Sequence, residues 1–160
     1  LTFFLTVVFD LVMAIGVGLA LACLLFMTRM ANVAVIKEWK YVEDEDAQGR
    51  FRHVPEHVMV YEIDGPMFFG AADQIPHIDP RETRRVMILR MRSVPALDIT
   101  ALNSLARLWK ECQRHRVQLI LSHVNEQPLS VMRKSGFYEA VGEEWFCPNI
   151  DTALELASKL

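Results

Sequence analysis

The chain has 160 residues, with 17 Lys or Arg against 20 Asp or Glu, so its formal net charge is −3. This balance gives no support for nucleic-acid binding, which usually shows a basic face. Its three cysteines, Cys23, Cys112 and Cys147, are too few and odd in number for a disulfide framework, and they fit a reducing compartment. We interpret all three as structural.

The first element in chain order is an uncharged stretch from Leu11 to Met27, 17 residues counting 11 through 27. That length is at the short end of the roughly 17–25 residues that cross a bilayer as a helix. Small residues recur four apart on two of its faces, as in closely packed membrane helices, although a lone Gly/Ala-rich anchor is the alternative. Arg29, Lys37 and Lys40 follow, and a basic excess marks the cytoplasmic side. Residues 1–36 therefore predict a last membrane segment with its flank, and the residues after Arg29 are expected in the cytoplasm.

The residues before Leu11 allow two interpretations. Leu1 to Phe9 is also apolar, and Asp10 interrupts the run. One interpretation is a single tilted helix from Leu1 to Met27, and the other is the tail of an earlier span, a turn near Asp10 and then the final span. We favour the turn, because an unpaired carboxylate deep in hydrocarbon costs at least ~2.5 kcal/mol.

Residues 37–53 are polar and contain the acidic run from Glu43 to Asp46, which is typical of a solvated linker. Residues 54–160 are numerous enough for one compact domain. Three nearly continuous apolar runs predict strands of a sheet covered on both faces, and these are Val58–Ile63, Val86–Met91 and Val117–Leu121. A turn at Asp64-Gly65-Pro66 precedes a short second strand over Met67–Gly70, with a helix expected to start near Ala71.

Helices are predicted between and after these strands. Asp98 is a good N-cap for a helix whose apolar residues recur at helical spacing, ending near His115 and Arg116. A second helix contains Pro128 in its first turn and stops at Gly136, and a last helix follows Asn149. Strands that alternate with helices indicate an α/β domain of two or three layers.

The search for catalytic motifs is negative. The chain has no Gly-rich phosphate loop, GxSxG, HExxH or CxxC motif, and its five histidines are scattered. We therefore predict no enzyme activity, no catalytic residue, no metal site and no cofactor.

One loop and helix start are the candidate site. The loop Val94-Pro95-Ala96-Leu97 precedes Asp98, and the Thr100 hydroxyl falls in the first helical turn beside unpaired backbone N–H groups and the positive end of the helix dipole. A phosphate on Thr100 would be stabilised there. The residues alone leave open that Asp98 is only a cap and Thr100 only a first-turn residue.

Together these segments resemble the C-terminal end of SulP-type anion transporters, the sulfate permease family. The resemblance covers essentially the whole chain and rests on Phe9-Asp10-Leu11 with Leu24–Met27, the charged linker, Tyr61–Ala72 (YEIDGPMFFGAA) and Val94–Leu102 (VPALDITAL). It implies that the soluble part is a STAS domain, a fold with a small β-sheet and helices packed mainly on one side. STAS domains also occur in bacterial anti-sigma-factor antagonists, whose phosphorylated switch residue corresponds to Thr100. Ile99 and Ala101 depart from that motif, which has a hydroxyl residue and usually a glycine there.

The resemblance implies secondary transport of an anion such as sulfate, bicarbonate or a dicarboxylate, with the STAS domain regulating or assembling the transporter. The expected location is the inner (plasma) membrane as part of a multi-pass parent, with the substrate site outside this chain. Expected partners are the transport domain of the same polypeptide, a second copy in a homodimer, membrane lipid and a cytosolic regulatory protein that contacts the loop Val94–Leu97. The alternative is a membrane-tethered signalling module that is switched by phosphorylation at Thr100.

Overall fold

The computed structural model describes residues 11–31, 35–39, 41–43, 51–68, 75–79 and 83–160. The chain divides into two compact units, Leu1–Asn32 and Val33–Leu160. The turn near Asp10, the helix start near Ala71 and the acidic run Glu43–Asp46 beyond Glu43 fall outside the described residues. Of the predicted strand Met67–Gly70 only Met67 and Phe68 are described, and Met67 makes an isolated bridge.

The first unit contains one described helix, α1, which spans Leu11–Ala31 and has 21 residues. It continues four residues past Met27, through Arg29. Most of its large apolar side chains are exposed within the unit, whereas Ala14 is buried. Judged on length and hydropathy together, no helix in the described part of the chain could span a membrane.

The second unit is built on a five-stranded mixed sheet with the order β1-β4-β5-β6-β7. Its strands are β1 (Val35–Trp39), β4 (Val58–Asp64), β5 (Val86–Ser93), β6 (Gln118–Ser122) and β7 (Phe146–Cys147). Strands β4 to β7 are parallel, and β1 pairs with β4 in the antiparallel direction. Two further strands, β2 (Tyr41–Glu43) and β3 (Phe51–His53), form a separate antiparallel pair. The three strands predicted from apolar runs are all present.

The region predicted as a linker, 37–53, differs from the structure because it contains strands. Most of β1 and all of β2 and β3 fall within it, and β1 lies in the main sheet. β1 is an edge strand in which Ile36 packs against the core while Lys37 and Glu38 stay exposed. An edge strand with polar side chains looks like a linker in sequence, since its partner β4 lies more than twenty residues further along the chain.

The helices that the structure describes cover the two faces of the sheet unequally. One face packs against α2 (Ile99–His115), α3 (Glu126–Lys134) and α4 (Phe137–Val141), and the other packs against α5 (Ile150–Ala157). Side chains alternate between the two cores along each strand, so Met87 and Leu89 of β5 face the first core while Val86 and Ile88 face the second. The packing of helices mainly on one side agrees with the prediction.

The segment after α3 contains elements that the sequence did not predict. Gly136 was expected to end a helix, and it does adopt a left-handed conformation with φ of 77°. However, it also starts α4 at once, after Ser135 has capped α3. α4 has five residues, the following 3-10 turn Glu143–Trp145 has three and β7 has two. Segments this short do not show a periodic pattern, because periodicity needs several turns or alternations to be recognised.

Candidate functional site

The candidate loop lies at the carboxyl ends of strands β4 and β5. Residues 94–98 connect β5 to α2 and are hydrogen-bonded to the turn that follows β4. The Gly65 N–H donates to the Ser93 carbonyl (3.1 Å), the Met67 N–H to the Ala96 carbonyl (2.9 Å) and the Asp98 N–H to the Met67 carbonyl (3.1 Å). The two loops therefore form one connected edge, in which Met67 and Leu97 make an isolated parallel bridge.

Two side chains from the start of α3 hold this loop from the other side. The Asn125 amide nitrogen, Nδ2, donates to the carbonyls of Arg92 (2.8 Å) and Val94 (2.7 Å). The Gln127 side chain pairs with the backbone of Leu97, since its Oε1 accepts from the Leu97 N–H (2.9 Å) and its Nε2 donates to the Leu97 carbonyl (3.3 Å). Neither residue was predicted from the sequence, although an asparagine just before a helix is a recognisable cap candidate.

Asp98 lies at the start of α2, as its predicted role requires. Its backbone is extended, with φ of −96° and ψ of 173°, and its Oδ1 accepts a hydrogen bond from the Ala101 N–H at 2.8 Å. The Asp98 carbonyl accepts from the Leu102 N–H at 3.0 Å. The Asp98 side chain thus satisfies the Ala101 N–H, which has no partner within the helix itself, and the Asp98 carbonyl begins the regular helical bonding.

Thr100 is half-buried in the first turn of α2, and the next residue, Ala101, is fully buried. The Thr100 carbonyl accepts from the buried Ser104 hydroxyl at 3.3 Å, and Arg107 Nη2 donates to that hydroxyl at 2.7 Å. A bulky residue cannot replace Ala101 without displacing the core. The residue that departs from the family motif at this position, Ala101, is therefore small and buried.

The four predicted partner-binding residues divide into two groups. Val94 and Leu97 are buried in the core beneath the loop, so they shape the loop from inside. Pro95 is exposed and Ala96 is half-buried, so these two present the outer surface. Ile99, 61% exposed, stands next to them at the first position of α2. In the sequence Ile99 is recognisable only as a departure from the motif, because its exposure depends on how the loop packs.

An open cavity of about 450 Å³ lies beside the candidate loop, at the carboxyl ends of β6 and β7. His123, Asn125, Glu126, Tyr138 and Phe146 are among its lining residues. His123 has a left-handed backbone with φ of 54°, and its N–H donates to the Cys147 carbonyl at 2.9 Å. Among the described residues, no group of three or more His, Cys, Asp or Glu side chains could hold a metal ion.

Comparison with known proteins shows the family. The sequence model of the STAS domain matches residues 52–153, well over half of the chain. The chain belongs to the STAS-domain family. It is 28% identical over 155 residues to the putative sulfate transporter YvdB of Bacillus subtilis, a match that covers 94% of this chain and 28% of that protein. This STAS chain thus spans little more than a quarter of the length of that relative.

Solved structures agree with this assignment. A sulfate transporter family protein from Wolinella succinogenes is 37% identical, with a TM-score of 0.63, over 73% of this chain and 97% of that one. The STAS domain of a SulP transporter from Vibrio cholerae is 30% identical, with a TM-score of 0.58, over 69% of this chain and 88% of that one. The second unit is therefore a STAS domain of the SulP type.

The fold likeness extends further than these isolated domains. The murine Solute Carrier 26 family member A9 anion transporter matches 99% of this chain and 28% of its own, with a TM-score of 0.74 and 18% identity. At that identity the match shows the fold alone. The relatives are described as transporters and STAS domains, a class distinct from enzymes.

Proposed function

We propose that this chain is the C-terminal part of a secondary anion transporter, of the sulfate, bicarbonate or dicarboxylate class. In this proposal residues 1–36 contain the last membrane segment, and the STAS domain lies in the cytoplasm, where it regulates or assembles the transporter. The observation that carries the proposal is the match to YvdB over 94% of the chain, because it includes most of the apolar first unit as well as the STAS domain. The proposed parent is a multi-pass protein of the inner (plasma) membrane.

The membrane placement of α1 rests on sequence and relatives. The uncharged run from Leu11 to Met27 is the sequence feature that supports it, whereas the described helix does not by itself combine the length and hydropathy of a span. Replacing Leu21, near its centre, by Arg should cost ~2.5–3.5 kcal/mol of insertion free energy and release the chain 1–160 from alkaline-washed membranes. Arg29→Ala, at the helix end, is the matched control and should leave the chain in the pellet. Equal retention of the Leu21→Arg variant would contradict the placement.

The regulatory role is tested on the full-length parent in proteoliposomes. We expect removal of residues 54–160 to reduce anion uptake or the yield of assembled transporter, because the domain would no longer contact the transport unit. The control is a parent with a protease site placed in the acidic run 43–46, assayed before and after cleavage. Unchanged expression, assembly and uptake after deletion would refute the regulatory role.

Within this function we propose Thr100 as a phosphorylation-sensitive position. Its half-buried place in the first turn of α2 supports the proposal, since helix N-termini stabilise phosphate. Uptake by Thr100→Glu and Thr100→Ala parents would be compared, with Asn103→Glu on the exposed face of the same helix as the control. Identical uptake by all three, together with no phosphate found by mass spectrometry, would reject the switch.

A further inference from the structure

The open cavity at the carboxyl ends of β6 and β7 has no role in the proposed function. Its volume of about 450 Å³ suits a small organic ligand. Open α/β sheets bind ligands in crevices at the carboxyl ends of their parallel strands. The residues of its wall therefore indicate which chemical class of ligand the cavity accepts.

One carboxylate supplies the fixed charge of the cavity. Glu126 is exposed at the start of α3, and no base among the described residues pairs with it. The described residues that line the cavity include neither lysine nor arginine, and Arg92 and Arg133 on neighbouring elements are not part of the wall. The N-terminus of α3 adds a positive partial charge of about half an elementary charge, which the full charge of Glu126 exceeds. The cavity thus favours a cation over an anion.

The side chains at the start of α3 offer hydrogen-bond acceptors to a ligand. Asn125 lines the cavity, and its Nδ2 is used for the carbonyls of Arg92 and Val94, so Oδ1 is the side-chain atom that a ligand can use. This side chain makes no cap bond to α3. The Glu126 carboxylate is an acceptor as well. A ligand held by these two groups has to donate, as a protonated primary amine does with its three N–H bonds.

An aromatic pair forms another part of the wall. Tyr138 and Phe146 are half-buried, and their ring centroids are 4.5 Å apart with a tilt of 43° between the rings. Leu129 adds apolar surface. Aromatic rings attract cations, and Tyr138 already has the guanidinium carbon of Arg133 at 4.7 Å from its ring centroid. The two rings can therefore pack against the apolar body of a ligand whose charge is positive.

We propose that this cavity binds a small organic amine in its protonated form. The ammonium group donates to Glu126 and to Asn125 Oδ1, while the apolar body of the amine packs against Tyr138, Phe146 and Leu129. Asn125 also holds the loop before α2, so an occupied cavity stabilises that loop. The site is separate from Thr100 and from anion transport, and its test is independent of the proposed function.

The test compares three probes that share one ring and differ in charge: phenethylammonium, the uncharged 2-phenylethanol and the anion phenylacetate. Binding to the chain 1–160 in an uncharged detergent is followed by chemical-shift changes of the Leu129 methyl groups, which report the cavity and not the uptake of a probe by micelles. We expect phenethylammonium to bind about tenfold more tightly than 2-phenylethanol, and phenylacetate to bind more weakly than either. Any other order, equal affinities or no shift with any probe would overturn the proposal.

Two substitutions test the contacts one at a time. Glu126→Gln keeps the shape of the side chain and removes its charge, so the affinity for phenethylammonium should fall about tenfold while that for 2-phenylethanol stays unchanged. Glu139→Gln changes an exposed acid in the first turn of α4, outside the cavity wall, and is the matched control without effect. Phe146→Leu should weaken both probes severalfold, whereas Tyr138→Phe keeps its ring and should not. An unchanged affinity for phenethylammonium in Glu126→Gln or in Phe146→Leu would overturn the proposed binding mode.

Discussion

At the scale of single residues, Cys112 shows how burial controls chemistry. Its side chain lies in the core under α2, and burial, with a smaller effect of the negative charge of Glu111, raises the pKa of its thiol from 9.0 to about 12. Burial also raises the pKa of Cys147. Both thiols are therefore protonated and unreactive at neutral pH, as expected of structural cysteines.

The raised pKa of Cys112 predicts a loss of stability at alkaline pH. Between pH 9 and 12 the unfolded thiol has released its proton while the folded thiol keeps it, so unfolding becomes more favourable as the pH rises. Three pKa units correspond to at most about 4 kcal/mol of unfolding free energy. Urea unfolding of a fragment 33–160 at several pH values measures this slope. Cys112→Ala should show a shallower decline, and equal slopes in the two proteins would contradict the assignment.

Caps of single helices could be predicted from sequence, whereas contacts between helices and loops could not. Asp98 and Asn149 each accept a hydrogen bond from an N–H three residues ahead, so a short window of sequence contains the whole interaction. Asn125 instead bonds to carbonyls more than thirty residues earlier in the chain. Its role depends on the fold having brought β5 and α3 together.

At the scale of elements, the start of α3 holds the loop between β5 and α2. Asn125 is at the N-cap position of α3 but makes no side-chain cap bond, because its amide is directed to the β5 loop. The helix itself was predicted from Pro128 and Gly136, within two residues of its actual ends. The spacing of apolar residues predicts the helix well. It does not indicate which polar side chain near the end of the helix bonds to another part of the fold.

We expect Asn125→Ala to lower the unfolding free energy by about 0.5–1.5 kcal/mol, because the Arg92 and Val94 carbonyls at the end of β5 lose their donor. Asn125→Asp should cost at least as much, although Asp is itself a good N-cap, since a carboxylate cannot donate to the Arg92 and Val94 carbonyls. Ser130→Ala on the exposed face of α3 is the control and should be nearly neutral. Stability of Asn125→Asp equal to that of the natural chain would show that the cap, not the loop contact, is the important role.

At the scale of the whole molecule, the fold begins earlier than the family match. The STAS match starts at residue 52, whereas the sheet starts at Val35 with β1. The three parallel strands with strong apolar runs were predicted from the sequence. The same runs predicted that both faces of these strands are buried. β1 could not be predicted, because the charged residues Lys37 and Glu38 interrupt its apolar pattern and its partner is remote in sequence.

A fragment 52–160 should therefore be less stable and more prone to self-association than a fragment 33–160. Without β1, the unpaired N–H and C=O groups of β4 form an open sheet edge that can pair with another chain. Sedimentation velocity and urea unfolding of the two fragments check this. Within 33–160, Ile36→Asp should weaken β1 packing in the same direction, whereas Lys37→Ala should not. Equal behaviour of the two fragments would mean that β1 contributes little.

The antiparallel position of β1 also has a mechanical consequence. β1 is paired with β4 along five residue positions, from Val35 opposite Asp64 to Trp39 opposite Val60. A load applied along the strand is shared by the hydrogen bonds of the ladder, which do not open one after another. β4 passes such a load to β5, from which the loop bearing Ile99 extends. Tension along β1 is therefore carried through the sheet to the candidate site.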